Sequence, residues 1–174
     1  MHLKGERGFT LVEVIVVAAI IAILAGILVP MIFSQIDEAK LSRAKGDLRS
    51  LSSGIYAFRK DVGQWPACAG ATLLYGAGTL DKANFPAGWD VTAPQLFDDH
   101  LMQDSNGCYG DMYKGPYFPA VEKDPWGHAY IVNAQGFGVD KQAVLVLSSG
   151  PDGILQTGST DAVAAGDDIG IRVK

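Results

Sequence analysis

The sequence predicts an α+β protein: one long N-terminal helix, apolar all round in its first half and amphipathic in its second, packed against a small antiparallel β-sheet head. Three observations predict it. Residues 14 to 33 carry no charge. Leu41, Ala44, Leu48, Leu51, Ile55 and Phe58 then recur at alternating steps of three and four, the period of one helix face. Beyond about residue 62 the chain becomes rich in Gly and Pro, with turn signals separating short runs of strand character.

Each element follows from local chemistry. The twenty uncharged residues from Val14 to Phe33 span roughly 30 Å as a helix, the thickness of a bilayer's hydrocarbon core. A secretory signal peptide has a shorter apolar run ending at small residues, so removal of the whole segment is not expected. His2, Lys4 and Arg7 precede the run, and Asp37 and Glu38 follow it. The positive-inside rule therefore keeps the N-terminus cytoplasmic and exports the rest.

Between the apolar positions of the second half stand Lys40, Arg43, Lys45, Asp47, Arg49, Arg59 and Lys60, a solvated face, so residues 10 to 60 read as one helix. Pro30 removes a backbone donor and Gly26 lowers helix propensity, so residues 24 to 30 are expected to kink or melt. Gly63 and Pro66 end the helix. In the head, Ala129 to Asn133 and Ala143 to Leu147 read as strands and residues 94 to 103 as a short helix, with turns at Ala87-Gly88, Asn106-Gly107 and Asp124-Pro125.

The formal net charge is −5, with no long basic run, which makes nucleic acid and anionic lipid poor partners. Ser148 and Ser149 lack a nucleophile-elbow context. His2, His100 and His128 show no zinc spacing and read as surface or partly buried structural residues. Trp65, Trp89 and Trp126 read as core or turn anchors, and Gly136-Phe137-Gly138 as a loop. No catalytic constellation is present in the sequence. Cys68 and Cys108 form an even pair in an exported head, where a disulfide is favoured over two free buried thiols. It would close a loop of about 40 residues and stabilise it by about 3–4 kcal/mol in the chain-entropy model. Neither cysteine has a second at metal-ligand spacing.

A basic leader ending in Gly8, then Phe9-Thr10-Leu11-Val12-Glu13 and the apolar helix, resembles the class III signal of type IV pilins and the related pseudopilins. The resemblance implies cleavage by a prepilin peptidase between Gly8 and Phe9 and N-methylation of the new Phe9 amine. Pro30 falls where that family carries its helix-breaking proline. Glu13, a carboxylate inside an apolar segment, acquires a use: in a filament it meets the Phe9 ammonium of a neighbour, and the pair sets the axial register. The plainer alternative leaves Glu13 at headgroup level near a helix N-terminus, where a carboxylate is favourable anyway.

Asp124-Pro125-Trp126-Gly127-His128-Ala129-Tyr130, LSSGPDG at 147–153, Gly166-Asp167-Asp168-Ile169 and GPYFP at 115–119 are similar to signatures of the major pseudopilin of type II secretion systems. In that family the middle two close a calcium site. Carried over by position, Asp152, Asp167 and Asp168 are the acidic cluster, with carbonyls of Ser149 and near Ala165 as further ligands. Carboxylates and carbonyls on tight turns suit that hard cation. Residues 154 to 166 are longer than the usual loop, so Asp161 is a further candidate.

The resemblance divides the chain into a leader at 1–8, a transmembrane and filament-core helix at 9–33, its amphipathic half at 34–62, and a periplasmic head at 63–174. Within the head, 67–114 reads as a variable insertion and 115–174 as the β-sheet and calcium loop. The implied function is a structural subunit of a helical pseudopilus, anchored singly in the inner membrane and supporting export of folded proteins. Its implied partners are further copies of itself, prepilin peptidase, minor pseudopilins and the inner-membrane assembly platform. A type IV pilin forming a surface fibre is the alternative, kept open by the disulfide in the head; a single-span enzyme or binding protein is disfavoured by the absence of a catalytic constellation.

Overall fold

The computed structural model describes residues 8–68 and 70–174. The leader up to residue 7, with the charges on which orientation was argued, lies outside the described residues. The chain divides into two compact units, Met1–Ala39 and Lys40–Lys174. One helix, α1 (Leu11–Val62), contributes to both.

In the first unit α1 is apolar enough to cross a membrane, with a mean hydropathy of 3.0 over its best window and none of that window buried within the chain. The helix is unbroken through Gly26 and Pro30, so of the kink or melting expected at residues 24 to 30, melting does not occur. The physical reason is that a proline at position 30 deletes a single bond, the one its N–H would give to the Gly26 carbonyl, while the bonds on either side persist.

In the second unit the predicted stripe is buried: Ala44, Leu48, Ile55 and Phe58 are fully enclosed, Leu51 nearly so, and Val62 extends the row. Leu41 departs from it. It is 38% exposed and lines an open groove of about 610 Å³ with Val163 and Ile169. The helix stops at Val62, and Gly63 closes the last turn by donating to the Arg59 carbonyl at 2.9 Å.

The stripe packs on a five-stranded sheet of β1 (Leu73–Tyr75), β2 (Pro94–Leu96), β3 (Ile131–Asn133), β4 (Leu145–Ser148) and β5 (Ile169–Arg172), in the order β2-β1-β3-β4-β5. The sheet is mixed and not antiparallel as expected, because β1 and β2 run parallel. The chain between them, residues 76–93, is long enough for the crossover that a parallel pair requires. Two of the five strands thus come from the segment read as an insertion.

The strands read at 129–133 and 143–147 are present but start two residues later. Most of 94–103 is not helical: Pro94–Leu96 is an edge strand, where a residue with no N–H is tolerated, and only α2 (Asp98–Leu101) is helical. Side chains alternate between two clusters. Leu74, Val132 and Val146 face α1, while Leu73, Ile131, Leu145 and Leu147 face a layer of loops carrying Leu155, Trp89 and Phe85.

Cys68 and Cys108 are joined by a disulfide, as favoured from the sequence. Beside it His100 is fully buried, deeper than a surface or partly buried histidine. Its Nε2 faces Gln95 Oε1 at 2.9 Å, an acceptor only, so Nε2 carries the proton and Nδ1 receives the Tyr109 hydroxyl at 2.7 Å. Burial holds the imidazole below its ordinary value of 6.5, against the opposing pull of Asp99 and Asp104. As pH falls below about 6.5 the unfolded chain takes up the proton before the folded one does, so this residue removes stability in that direction.

Two outcomes test this packing in thermal melts. Leu48→Ala should cost about 2–5 kcal/mol, whereas Leu41→Ala should cost well under about 1 kcal/mol because that side chain is already partly in water. Melting temperatures measured from pH 7.5 down to 5 should decline, and His100→Gln should flatten the decline even though it lowers the starting value.

Candidate functional site

Two places carry the residues singled out from the sequence. At the N-terminal end, Phe9 is 87% exposed, and it lines a shallow surface groove with Glu13, Val17 and Ile21, spaced on one helix face. The Glu13 carboxylate reaches back to the start of the helix. Thr10 donates to Glu13 Oε2 both from its backbone N–H at 2.8 Å and from its hydroxyl at 2.7 Å, while the Glu13 N–H donates to Thr10 Oγ1 at 3.3 Å. This is a capping box, and the T-x-x-E spacing that signals it was legible in the sequence. Within a single chain, Glu13 therefore fills the plainer role of a carboxylate at a helix N-terminus.

In the head, the Asp-Pro-Trp-Gly turn and the end of β4 are fastened together by Asp124, which is 2% exposed. Its Oδ1 accepts the N–H groups of Trp126 and His128 at 3.0 and 2.8 Å, forming an Asx-type turn. Its Oδ2 accepts the Ser148 hydroxyl at 2.6 Å, and Ser148 Oγ in turn accepts the Gly150 N–H at 3.2 Å. A β-carbon at Gly150, whose φ is +65°, would overlap the Asp167 carbonyl oxygen; the missing side chain is what lets the SGPDG turn close on the Asp167-Asp168 turn.

The acidic residues are then placed by the loop between. Asp168 is only 9% exposed; its Oδ2 accepts the N–H of Gln156 at 2.8 Å, the N–H of Thr157 at 2.6 Å and the Thr157 hydroxyl at 2.5 Å. Burial pushes the Asp168 carboxyl up, opposed by those three bonds. Thr157 Oγ1 also accepts the Ala165 N–H at 2.9 Å, and the Trp89 indole N–H holds the Thr157 carbonyl at 2.9 Å. Asp167 Oδ1 and Asp168 Oδ1 are buried with no hydrogen-bond partner.

Asp152 has different partners. Its Oδ1 accepts the Ile154 N–H of its own turn at 2.8 Å and its Oδ2 the Gln156 amide at 3.2 Å. Asp161 accepts the Gly158 N–H at 2.7 Å within its own turn. Ser149 is buried just beyond β4. Among the described residues, no three His, Cys, Asp or Glu side chains gather as a metal site.

A family model for the prokaryotic N-terminal methylation motif matches residues 3–29. A second, described as type II secretion system (T2SS), protein G, matches residues 80–166, half of the 174-residue chain. The chain belongs to the type II secretion system protein G family. Relatives named type II secretion system core protein G include that of Pseudomonas aeruginosa, 29% identical over 78% of this chain and 79% of the relative. That of Escherichia coli is 28% identical over 87% of this chain and 86% of the relative, and that of Aeromonas hydrophila 27% identical over 94% of both. No solved structure matches the chain significantly.

The family match spans the Asp124 turn and the loop as far as Gly166, and ends just before Asp167 and Asp168. Sequence reasoning named Asp152, Asp167 and Asp168 but missed the residues that position them: Asp124, Ser148, Gln156 and Thr157. The Asp-Pro-x-Gly spacing was a usable signal for Asp124. Nothing local marked Gln156 or Thr157, whose bonds to Asp167 and Asp168 reach eleven or twelve residues along the chain. Ser148→Ala leaves the buried Asp124 carboxylate short of a donor and should lower stability by about 1–3 kcal/mol, read as a drop in melting temperature.

Proposed function

We propose that this chain is the structural subunit of a helical pseudopilus in a type II secretion system, stored in the inner membrane and assembled from it to support export of folded proteins. The observation that carries the reading is the first unit. Its apolar side chains, from Val14 at 57% exposed to Phe33 at 64%, have no cover within the chain, and a methylation-type N-terminus precedes them. A bilayer covers such a helix before assembly, and neighbouring copies of the same helix cover it afterwards.

In this reading a prepilin peptidase cuts between Gly8 and Phe9, and the freed Phe9 amine, N-methylated, meets the Glu13 carboxylate of an adjacent copy. Glu13 is held at the helix start by Thr10 until that charge arrives, so neither state leaves the carboxylate bare in hydrocarbon. Pro30 leaves the Gly26 carbonyl without its usual donor, and the helix can yield there during packing. Minor pseudopilins and an inner-membrane platform are the further partners, and the head lies in the periplasm.

Calcium is proposed as the structural cation of the head. The two unpartnered buried oxygens, Asp167 Oδ1 and Asp168 Oδ1, suit a hard cation that takes oxygen ligands, with carbonyls of Ser149 and Ala165 as supplementary donors. Bound there, calcium would neutralise two adjacent carboxylates at the end of the loop; Asp152 and Asp161 each already accept hydrogen bonds there, from Ile154 and Gln156 and from Gly158.

The assembly reading is tested with Glu13→Ala. Filaments recovered by shearing and seen by electron microscopy should be lost, while the subunit remains in the membrane fraction at its normal amount. Filaments at normal yield would refute the pairing of Glu13 with Phe9.

A further inference from the structure

The acidic loop holds a residue that contacts all three aspartates of the predicted acidic cluster at once. Gln156 donates its backbone N–H to Asp168 Oδ2 at 2.8 Å, donates its side-chain amide to Asp152 Oδ2 at 3.2 Å, and accepts the Asp167 N–H on Oε1 at 3.2 Å. The two ends of the amide are therefore assigned by chemistry, since a carboxylate needs the NH₂ and a backbone N–H needs the oxygen. The side chain is exposed, so its position owes nothing to burial in a core. A β-carbon at position 166 would collide with Gln156 Oε1, so Gly166 is what admits the amide between the two limbs of the loop.

The consequence is an uneven distribution of oxygens. Both oxygens of Asp152 are occupied, one by its own turn and one by Gln156. Asp167 and Asp168 each keep one buried oxygen without a partner, and Asp168 is only 9% exposed. We propose that Gln156 is the positioning residue of this loop: its amide does a cation's work in tying Asp152 to the Asp167-Asp168 turn, and so competes with calcium for Asp152. The loop keeps its form without metal, and a divalent cation recruits Asp152 only by displacing the amide. This rests on the calcium reading above.

Removing the amide should therefore move two quantities in opposite directions, which simple damage to the loop would not do. The full-length chain in detergent micelles is compared with Gln156→Ala and Gln156→Glu. In a calcium chelator both variants should be cleaved faster by elastase at the small residues 162–165, where Val163 is 76% exposed. Calcium, titrated calorimetrically, should bind Gln156→Ala several-fold to about tenfold tighter than the native chain, the worth of one hydrogen bond to a carboxylate. Gln156→Glu, which also adds an oxygen donor, should bind at least as tightly as Gln156→Ala. Calcium binding to the native chain with equal or weaker binding to Gln156→Ala would overturn the competition while leaving the calcium site standing. No binding to any of the three chains would overturn the calcium reading, and the competition with it.

Discussion

The head depends on one packing contact, the apolar stripe of α1 from Ala44 to Val62 against the inner face of the sheet. Leu48, Ile55 and Phe58 are fully buried there against Leu74, Val132 and Val146. Each such side chain contributes about 1.5–3 kcal/mol, and the three-residue strands have little else to hold them, since short strands are marginal without a surface to lie on. Aromatic residues extend the contact at the end of the helix: Phe58 meets the edges of Tyr109 and Tyr117, and Trp65 stacks on Phe137 at 4.8 Å. A polar tie stands at the other end, where Tyr130 donates to Asp47 at 2.9 Å.

Among the described residues, no α-helix covers the opposite face of the sheet. Loops do so instead, and they carry the polar machinery of the head. Leu155 and Trp89 lie on Leu73, Ile131, Leu145 and Leu147, and from this apolar floor the loop at 154–166 sends Gln156 and Thr157 to the aspartates. Trp89 has a double role: its ring joins the apolar layer and its N–H fixes the Thr157 carbonyl. The segment 67–114 is therefore tied into the acidic loop, into the sheet through β1 and β2, and onto itself by the disulfide and the buried His100. The segment that reads as an insertion is structurally continuous with the rest of the head.

How far the sequence reveals this structure varies with the range of the interactions involved. The long helix, its change from apolar to amphipathic, its end at Gly63 and the pairing of Cys68 with Cys108 rest on local pattern or on simple pairing, and each is found. β3 and β4 are found near their expected places because their apolar runs are unbroken. β1, β2 and β5 carry no comparable local signal; three or four residues become strand only because a neighbour offers a row of hydrogen bonds, as Pro94–Leu96 does beside Leu73–Tyr75. Leu41 fits the helical period yet stays half open, since periodicity says which face a residue occupies and not where the covering layer ends.

By itself the sequence determined that a membrane-length apolar helix precedes an amphipathic one, that a carboxylate, Glu13, stands near the start of that helix, and that acidic turns lie near the end of the head. Those properties follow from spacing and composition along a single stretch of chain. Only the tertiary structure decided that the sheet is mixed, that Asp124 and Ser148 join two turns, and that Gln156 stands between Asp152 and Asp167. Each of these depends on a contact between residues eleven or more apart in sequence, where the choice of partner is made by backbone geometry, and no local pattern encodes it.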